Sequence, residues 1–117
     1  MKSAWIVGLI VLASAPRVIA QTGSGSDLFE DRCLGCHFPA GGGQGPNLTG
    51  VVGRKAGSVA GFAYSPALKA STLVWTTANL DQFLADPAKT VPGTAMPIKV
   101  PDAAQRAALI SYLATTR

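Results

Sequence analysis

The sequence predicts an all-α chain on three observations. Apolar residues recur at helical spacing at Leu80, Phe83 and Leu84, and again at Leu109, Ile110 and Leu113. Helix-opening signals precede such stretches: Ser65 before Pro66, and Asp102 with Gln105 three positions on. Glycine and proline crowd the segments between them, as at Pro39 to Gly50 and Val91 to Pro97, and predict irregular loop there.

Taken in order, Ser26 to Cys33 is expected to be a helix, with Phe29 one turn before Cys33 and on the same side. Pro39 to Gly50 follows as loop. Ser65 can cap a short helix that has Pro66 at its first position and runs to about Ala70. Thr77 to Ala85 is the next helix, and Asp86-Pro87 ends it, because the residue before a proline is pushed out of the helical region. Asp102 opens the last and clearest helix, whose buried stripe is Leu109, Ile110 and Leu113.

Residues 1–20 have the layout of a secretory signal peptide. Lys2 precedes an apolar stretch from Ala4 to Ala15, and Val18-Ile19-Ala20 offers a small-residue cleavage site before Gln21. Twelve residues are too few to span a bilayer of roughly 30 Å as a helix, which takes about 20, so no stable membrane insertion is expected after cleavage. The mature chain would be residues 21–117, which is one domain's worth of sequence. Without Lys2 and Arg17, the basic excess over acidic residues falls from four to two. The remaining basic residues are scattered, with Arg54-Lys55 the only adjacent pair, so nucleic acid is not an expected partner. A few lysines suit docking to acidic protein surfaces better.

Two cysteines are present, both in Cys33-Leu34-Gly35-Cys36-His37. A disulfide between them would close a very small loop and stabilise little. A thioredoxin-like redox pair needs a βαβ context that the Gly- and Pro-rich sequence downstream does not supply. A structural zinc site needs further ligands, and the chain has no other cysteine and no other histidine. Covalent haem attachment uses all three polar positions: each thiol adds to a vinyl group as a thioether, and the next residue offers an imidazole to the iron. A helical turn brings cysteines three positions apart to one side, within reach of one porphyrin edge.

For the second axial position another histidine is impossible, which leaves Met96, a lysine or an open site. Met96 is the only methionine besides the initiator, and it lies in Val91-Pro92-Gly93-Thr94-Ala95-Met96-Pro97. Two prolines and a glycine in that run favour a rigid loop that could hold one side chain over the porphyrin. A methionine filling a core gap is the competing reading, and the haem motif favours ligation.

The chain resembles the small class I cytochromes c of the mitochondrial and bacterial periplasmic type across its whole mature length. Besides the haem-binding pentapeptide, Gly45-Pro46-Asn47-Leu48, Gly53-Arg54-Lys55-Ala56-Gly57, Gly61-Phe62-Ala63-Tyr64-Ser65, Trp75-Thr76 and Pro92-Gly93-Thr94-Ala95-Met96 occur in the family's order. The resemblance implies helices and loops wrapped around one covalent haem c, with the N- and C-terminal helices crossing. Tyr112 and Leu109 would then pack on Gly25 and Phe29. It implies that the Pro46 carbonyl accepts the second ring N–H of His37. It also implies that Arg54, Tyr64 and Trp75 donate hydrogen bonds around the haem propionates, with Thr94 acting similarly near the methionine loop.

Several residues depart from the family pattern. Phe83 stands where many members have a tyrosine and Leu68 where an asparagine is usual, and both changes dry the distal side. Ala95 replaces the lysine that usually precedes the ligand methionine, and Ile98 replaces a common aromatic. The ring of lysines around the haem edge is thinner, with Lys55, Lys69, Lys89 and Lys99 as candidates, so either partner docking depends less on salt or the partner differs. The segment from His37 to Pro46 is shorter than in mitochondrial members and nearer to bacterial forms.

With His37 and Met96 both on the iron there is no open coordination position, so outer-sphere electron transfer follows in place of catalysis. The soft thioether and apolar surroundings both favour ferrous iron and raise the potential. The expected function is a periplasmic one-electron carrier shuttling between redox proteins, as a monomer in transient complexes. The alternatives are the cytochrome subunit of a periplasmic dehydrogenase and an open-site haem enzyme or gas sensor. Because haem supplies apolar volume that a short chain lacks, folding and attachment should be coupled.

Overall fold

A computed structural model describes residues 23–117; the expected signal peptide, 1–20, and the expected first mature residue, Gln21, lie outside them. Among the described residues the regular structure is helical: α1 (Gly25–Arg32), α2 (Pro66–Ala70), α3 (Thr77–Ala85), α4 (Pro87–Thr90) and α5 (Ala103–Thr115). The only strand-like pairing among them is an isolated antiparallel bridge between Lys55 and Val74.

Each helix starts on a short polar side chain that satisfies an otherwise unpaired backbone N–H. Ser24 accepts from Asp27 N, Ser65 from Leu68 N, Thr76 from Asn79 N, Asp86 from Lys89 N and Asp102 from Gln105 N. The helix α1 begins one residue before the expected Ser26, because Ser24 caps it. It ends one residue before the expected Cys33, which has non-ideal backbone angles at the C-terminal boundary. Asp86 terminates α3 as expected, but it is also the N-cap of α4, one turn with Pro87 at its first position that the sequence reading missed. The same extended Asp86 backbone both stops one helix and starts the next.

The terminal helices α1 and α5 pack on each other, and α5 also packs on α3. Gly25 makes the first contact possible. A Cβ there would collide with the Ala108 carbonyl oxygen and would lie 2.8 Å from Tyr112 Cβ, so only hydrogen fits. Phe29 and Tyr112 stack beside this crossing, with ring centroids 5.3 Å apart. The buried core takes Leu28 from α1, Leu80, Phe83 and Leu84 from α3, and Leu109, Ile110 and Leu113 from α5. Val51, Ala56, Trp75, Val91 and Val100 from the loops complete it. Five buried loop residues in so small a core mean that the connections carry structure as well as the helices.

Candidate haem site

The attachment segment is a turn, not a continuation of α1. The carbonyl of Phe29 accepts from both Cys33 N and Leu34 N, and the carbonyl of Cys33 accepts from Cys36 N at 3.1 Å and His37 N at 2.9 Å. These bonds wind Cys33 to His37 tightly enough that both thiols and the imidazole face one cavity. Both cysteines are free thiols and partly exposed. Burial pushes the Cys33 thiol above its ordinary range, while the neighbouring Arg32 charge pulls the other way.

His37 is held from behind. Its Nδ1 lies 2.8 Å from the Pro46 carbonyl oxygen, so Nδ1 carries the proton, and Nε2 is the nitrogen left to bind a metal. Burial lowers the pKa of His37, and the bond to Pro46 partly opposes that. Burial is the larger effect and disfavours the charged ring, which is the direction a metal ligand needs. Gly45 backs the same ring so closely that an added Cβ would strike Cε1 and lie 2.5 Å from Nδ1 and 2.8 Å from Nε2. The motif Gly45-Pro46 thus gives the ring its space and its hydrogen bond together.

Met96 enters the cavity from the far side of the sequence. Its loop is shaped by Thr94 N donating to Val91 O at 3.0 Å and by Met96 N donating to Thr94 Oγ1 at 3.3 Å. Pro46, Arg54, Tyr64, Trp75 and Thr94 all line the same cavity as Cys33, Cys36, His37 and Met96, so the residues expected to hold the haem are brought to one place, whereas Phe29 is not among its walls. Their polar atoms are partly engaged already. Arg54 donates from Nη1 to Thr49 O and from Nη2 to Asn47 O. The Tyr64 hydroxyl accepts from Val59 N at 2.9 Å and keeps its own proton to donate. Trp75 is buried, with its ring 4.9 Å from that of Phe83. The sequence reading did not single out Leu48, Val51, Val100 or Leu113 as walls of the site, although all four line it. Only the three-dimensional path of the loops brings the first three there.

The cavity is about 170 Å³, far more than the roughly 10–15 Å³ that one water needs, and its walls are mainly apolar. Two thiols on one turn, one imidazole with its Nε2 free, one thioether and apolar walls are a donor set that fits haem c. They do not fit the competing sites. Among the described residues no group of three His, Cys, Asp or Glu could hold a metal ion, and no strand provides a βαβ frame.

Comparison with known proteins agrees. The model of the Cytochrome c family matches residues 23–117. The chain belongs to the cytochrome c family. Family members bind one covalent haem c and carry electrons, and Cys33 and Cys36 provide the two attachment thiols. The chain is 43% identical over 93 residues to "Cytochrome c type-1" of Ascaris suum, an alignment covering 77% of this chain and 83% of that one. It is 43% identical over 94 residues to "Cytochrome c-type cyt cy" of Rhodobacter capsulatus, covering 79% of this chain and 47% of that one. Among solved structures, cytochrome cH from Methylobacterium extorquens superposes with a TM-score of 0.74 at 44% identity, over 80% of this chain and all of that one. Ferricytochrome c2 from Rhodopseudomonas palustris gives 0.73 at 38% identity, over 80% and 96%. The all-α cytochrome c fold expected from the sequence is therefore the fold of this chain. It is a monohaem electron carrier with redox proteins as its partners.

Proposed function

We propose that this chain is a periplasmic one-electron carrier whose haem iron is bound by His37 Nε2 and the Met96 sulfur. The observation that carries the reading is the pairing of His37 and Met96 as walls of a single apolar cavity, with Nδ1 of His37 already committed to Pro46. The bound haem supplies reversible one-electron chemistry at iron. The chain's own residues do the rest. Pro46 orients the imidazole and raises its donor strength. Met96 would close the other face, and Leu68, Leu80, Phe83 and Leu84 among the cavity walls keep the surroundings apolar, which would disfavour the extra charge of ferric iron. Arg54, Tyr64 and Trp75, all lining the cavity, would donate toward the propionates, with the remaining Arg54 N–H groups, the Tyr64 proton and the Trp75 indole as the available donors. Thr94 stabilises the Met96 loop through its hydroxyl oxygen and has its own proton to give.

Export is part of the proposal and rests on the leader pattern at residues 1–20, with cleavage after Ala20. Among the described residues no helix is long and apolar enough to cross a membrane. Recovery of a polypeptide starting at Gln21 from a periplasmic fraction is the expected result.

Carbon monoxide tests the ligation. The reduced protein should bind it slowly or not at all, whereas Met96→Ala should bind it rapidly, because the variant opens the position that the thioether closes. Rapid binding by the unaltered protein would instead support the gas-binding or enzymatic alternative.

A further inference from the structure

The loop presenting Met96 returns to the helices through Ile98 to Pro101, and this return leg is anchored at Val100. The Val100 N–H donates to the Leu84 carbonyl at 2.8 Å. The Val100 carbonyl accepts from Arg106 Nη1 at 3.0 Å, and the same nitrogen donates to the Pro101 carbonyl at 2.8 Å. Nε of that guanidinium donates to Asp81 Oδ1 at 2.7 Å. The Arg106 side chain is only 13% exposed although its partner Asp81 is 48% exposed, so the guanidinium is shielded on one side and its charge-assisted hydrogen bonds to Asp81 and Val100 are part-buried. Val100 is 1% exposed and lines the same cavity as Met96.

Upstream, the loop is fixed by Thr94, whose N–H reaches Val91 O. Only residues 95–99 separate that anchor from Val100, and Pro97 restricts them further. So short a span has little slack, and a shift of the Val100 anchor must reach Met96. The other tie on this leg, Lys99 Nζ to Asp86 Oδ2 at 3.4 Å, is a more exposed pair with side chains 56% and 38% exposed, and a surface pair of this kind holds the leg less firmly than the Arg106 bonds.

We propose that Arg106, oriented by Asp81, is a positioning residue for Met96 and fixes where its sulfur lies over the haem. The proposal rests on the His37/Met96 reading. The planar guanidinium reaches a carboxylate and two carbonyls at once, which a lysine ammonium on a flexible stem does not reproduce. The wrong loop position would weaken the Met96–iron bond while leaving haem attachment through Cys33 and Cys36 intact.

Ferric holoprotein provides the test, read by the far-red sulfur-to-iron absorption and by the affinity for added imidazole, which competes with Met96. Arg106→Lys and Arg106→Gln should bind imidazole about tenfold tighter or more and lose far-red intensity. Leu28→Ala, a core cavity away from the site, serves as a destabilised control and should stay within about twofold of the unaltered protein. If Arg106→Gln fails to fold, Asp81→Asn keeps the two carbonyl bonds and should shift imidazole affinity in the same direction by less. Unchanged imidazole affinity in the Arg106 variants, or an equal change in Leu28→Ala, overturns the positioning role. Rapid carbon monoxide binding by the unaltered reduced protein overturns the His37/Met96 reading itself, and the positioning role with it.

Discussion

Replacing Gly25 by alanine sets two effects against each other, and the structure decides which wins. Gly25 is the first residue of α1, where alanine is ordinarily the better helix former by about 0.5–1 kcal/mol. Propensity alone therefore predicts a more stable protein. The added Cβ, however, would strike the Ala108 carbonyl oxygen and lie 2.8 Å from Tyr112 Cβ, about 0.6 Å inside the 3.4 Å at which ordinary contact begins. The Ala108 oxygen is backbone and cannot rotate away, and Tyr112 is held against Phe29. The helices must separate, and overpacking of this kind costs about 1–3 kcal/mol. The net expectation is a loss of about 1–2 kcal/mol, or a fall in Tm of about 5–15 °C for a domain of this length. Thermal unfolding of the ferric holoprotein followed by far-ultraviolet circular dichroism measures it. Gly23→Ala is the control, since its Cβ would meet only Leu28 side-chain atoms at 3.8 and 3.9 Å and should leave stability within about 0.5 kcal/mol of the original. A Gly25→Ala protein that melts at or above the unaltered temperature would refute the close-approach argument.

Three further outcomes follow from the site and its surroundings. The cavity of about 170 Å³ represents about 4 kcal/mol of unmade packing at about 24 cal/mol per Å³, comparable to the whole stability of a small domain. A Cys33→Ala/Cys36→Ala chain that carries no haem should therefore show little fixed helix, and a cooperative native-like melt would contradict the coupling. Gly45→Ala should push the His37 ring off its bond to Pro46, giving a protein that keeps its covalent haem but shows a high-spin fraction in its visible spectrum. Asp86 has its pKa lowered by the Lys89 N–H first, with Lys99 also contributing, from an ordinary value of 3.8. A depressed carboxylate pKa means that the unfolded chain binds the proton more readily, so Asp86 contributes stability above about pH 4 and loses it as pH falls further. Asp86→Asn, which can still cap α4, should flatten the fall in Tm below that pH and leave the neutral-pH value little changed.

The covalent chemistry was legible in the sequence because it is local. Cys33, Cys36 and His37 lie within one turn, and the geometry of that turn follows from spacing alone. The capped helix starts at Ser65 and Asp102 were legible for the same reason, since a cap is a bond between residues three apart. Even the single histidine and the single internal methionine restrict the ligand choices before any coordinates are considered.

Other features depend on residues far apart in the chain, and only the tertiary structure decided them. Val51 and Val100 have no periodic neighbours to mark them as core, yet they are 2% and 1% exposed because their loops fold across the cavity. Arg106 and Asp81 are separated by 25 positions, and nothing in their local sequence indicates that they share a bond or that Arg106 reaches Val100. The restarted helix α4 was missed because Pro87 signals both an end and a beginning, and packing against α3 selects the second. Local spacing can specify which atoms bond to a cofactor; where those atoms stand, and how tightly, is set by long-range contacts that form only when the chain closes on itself.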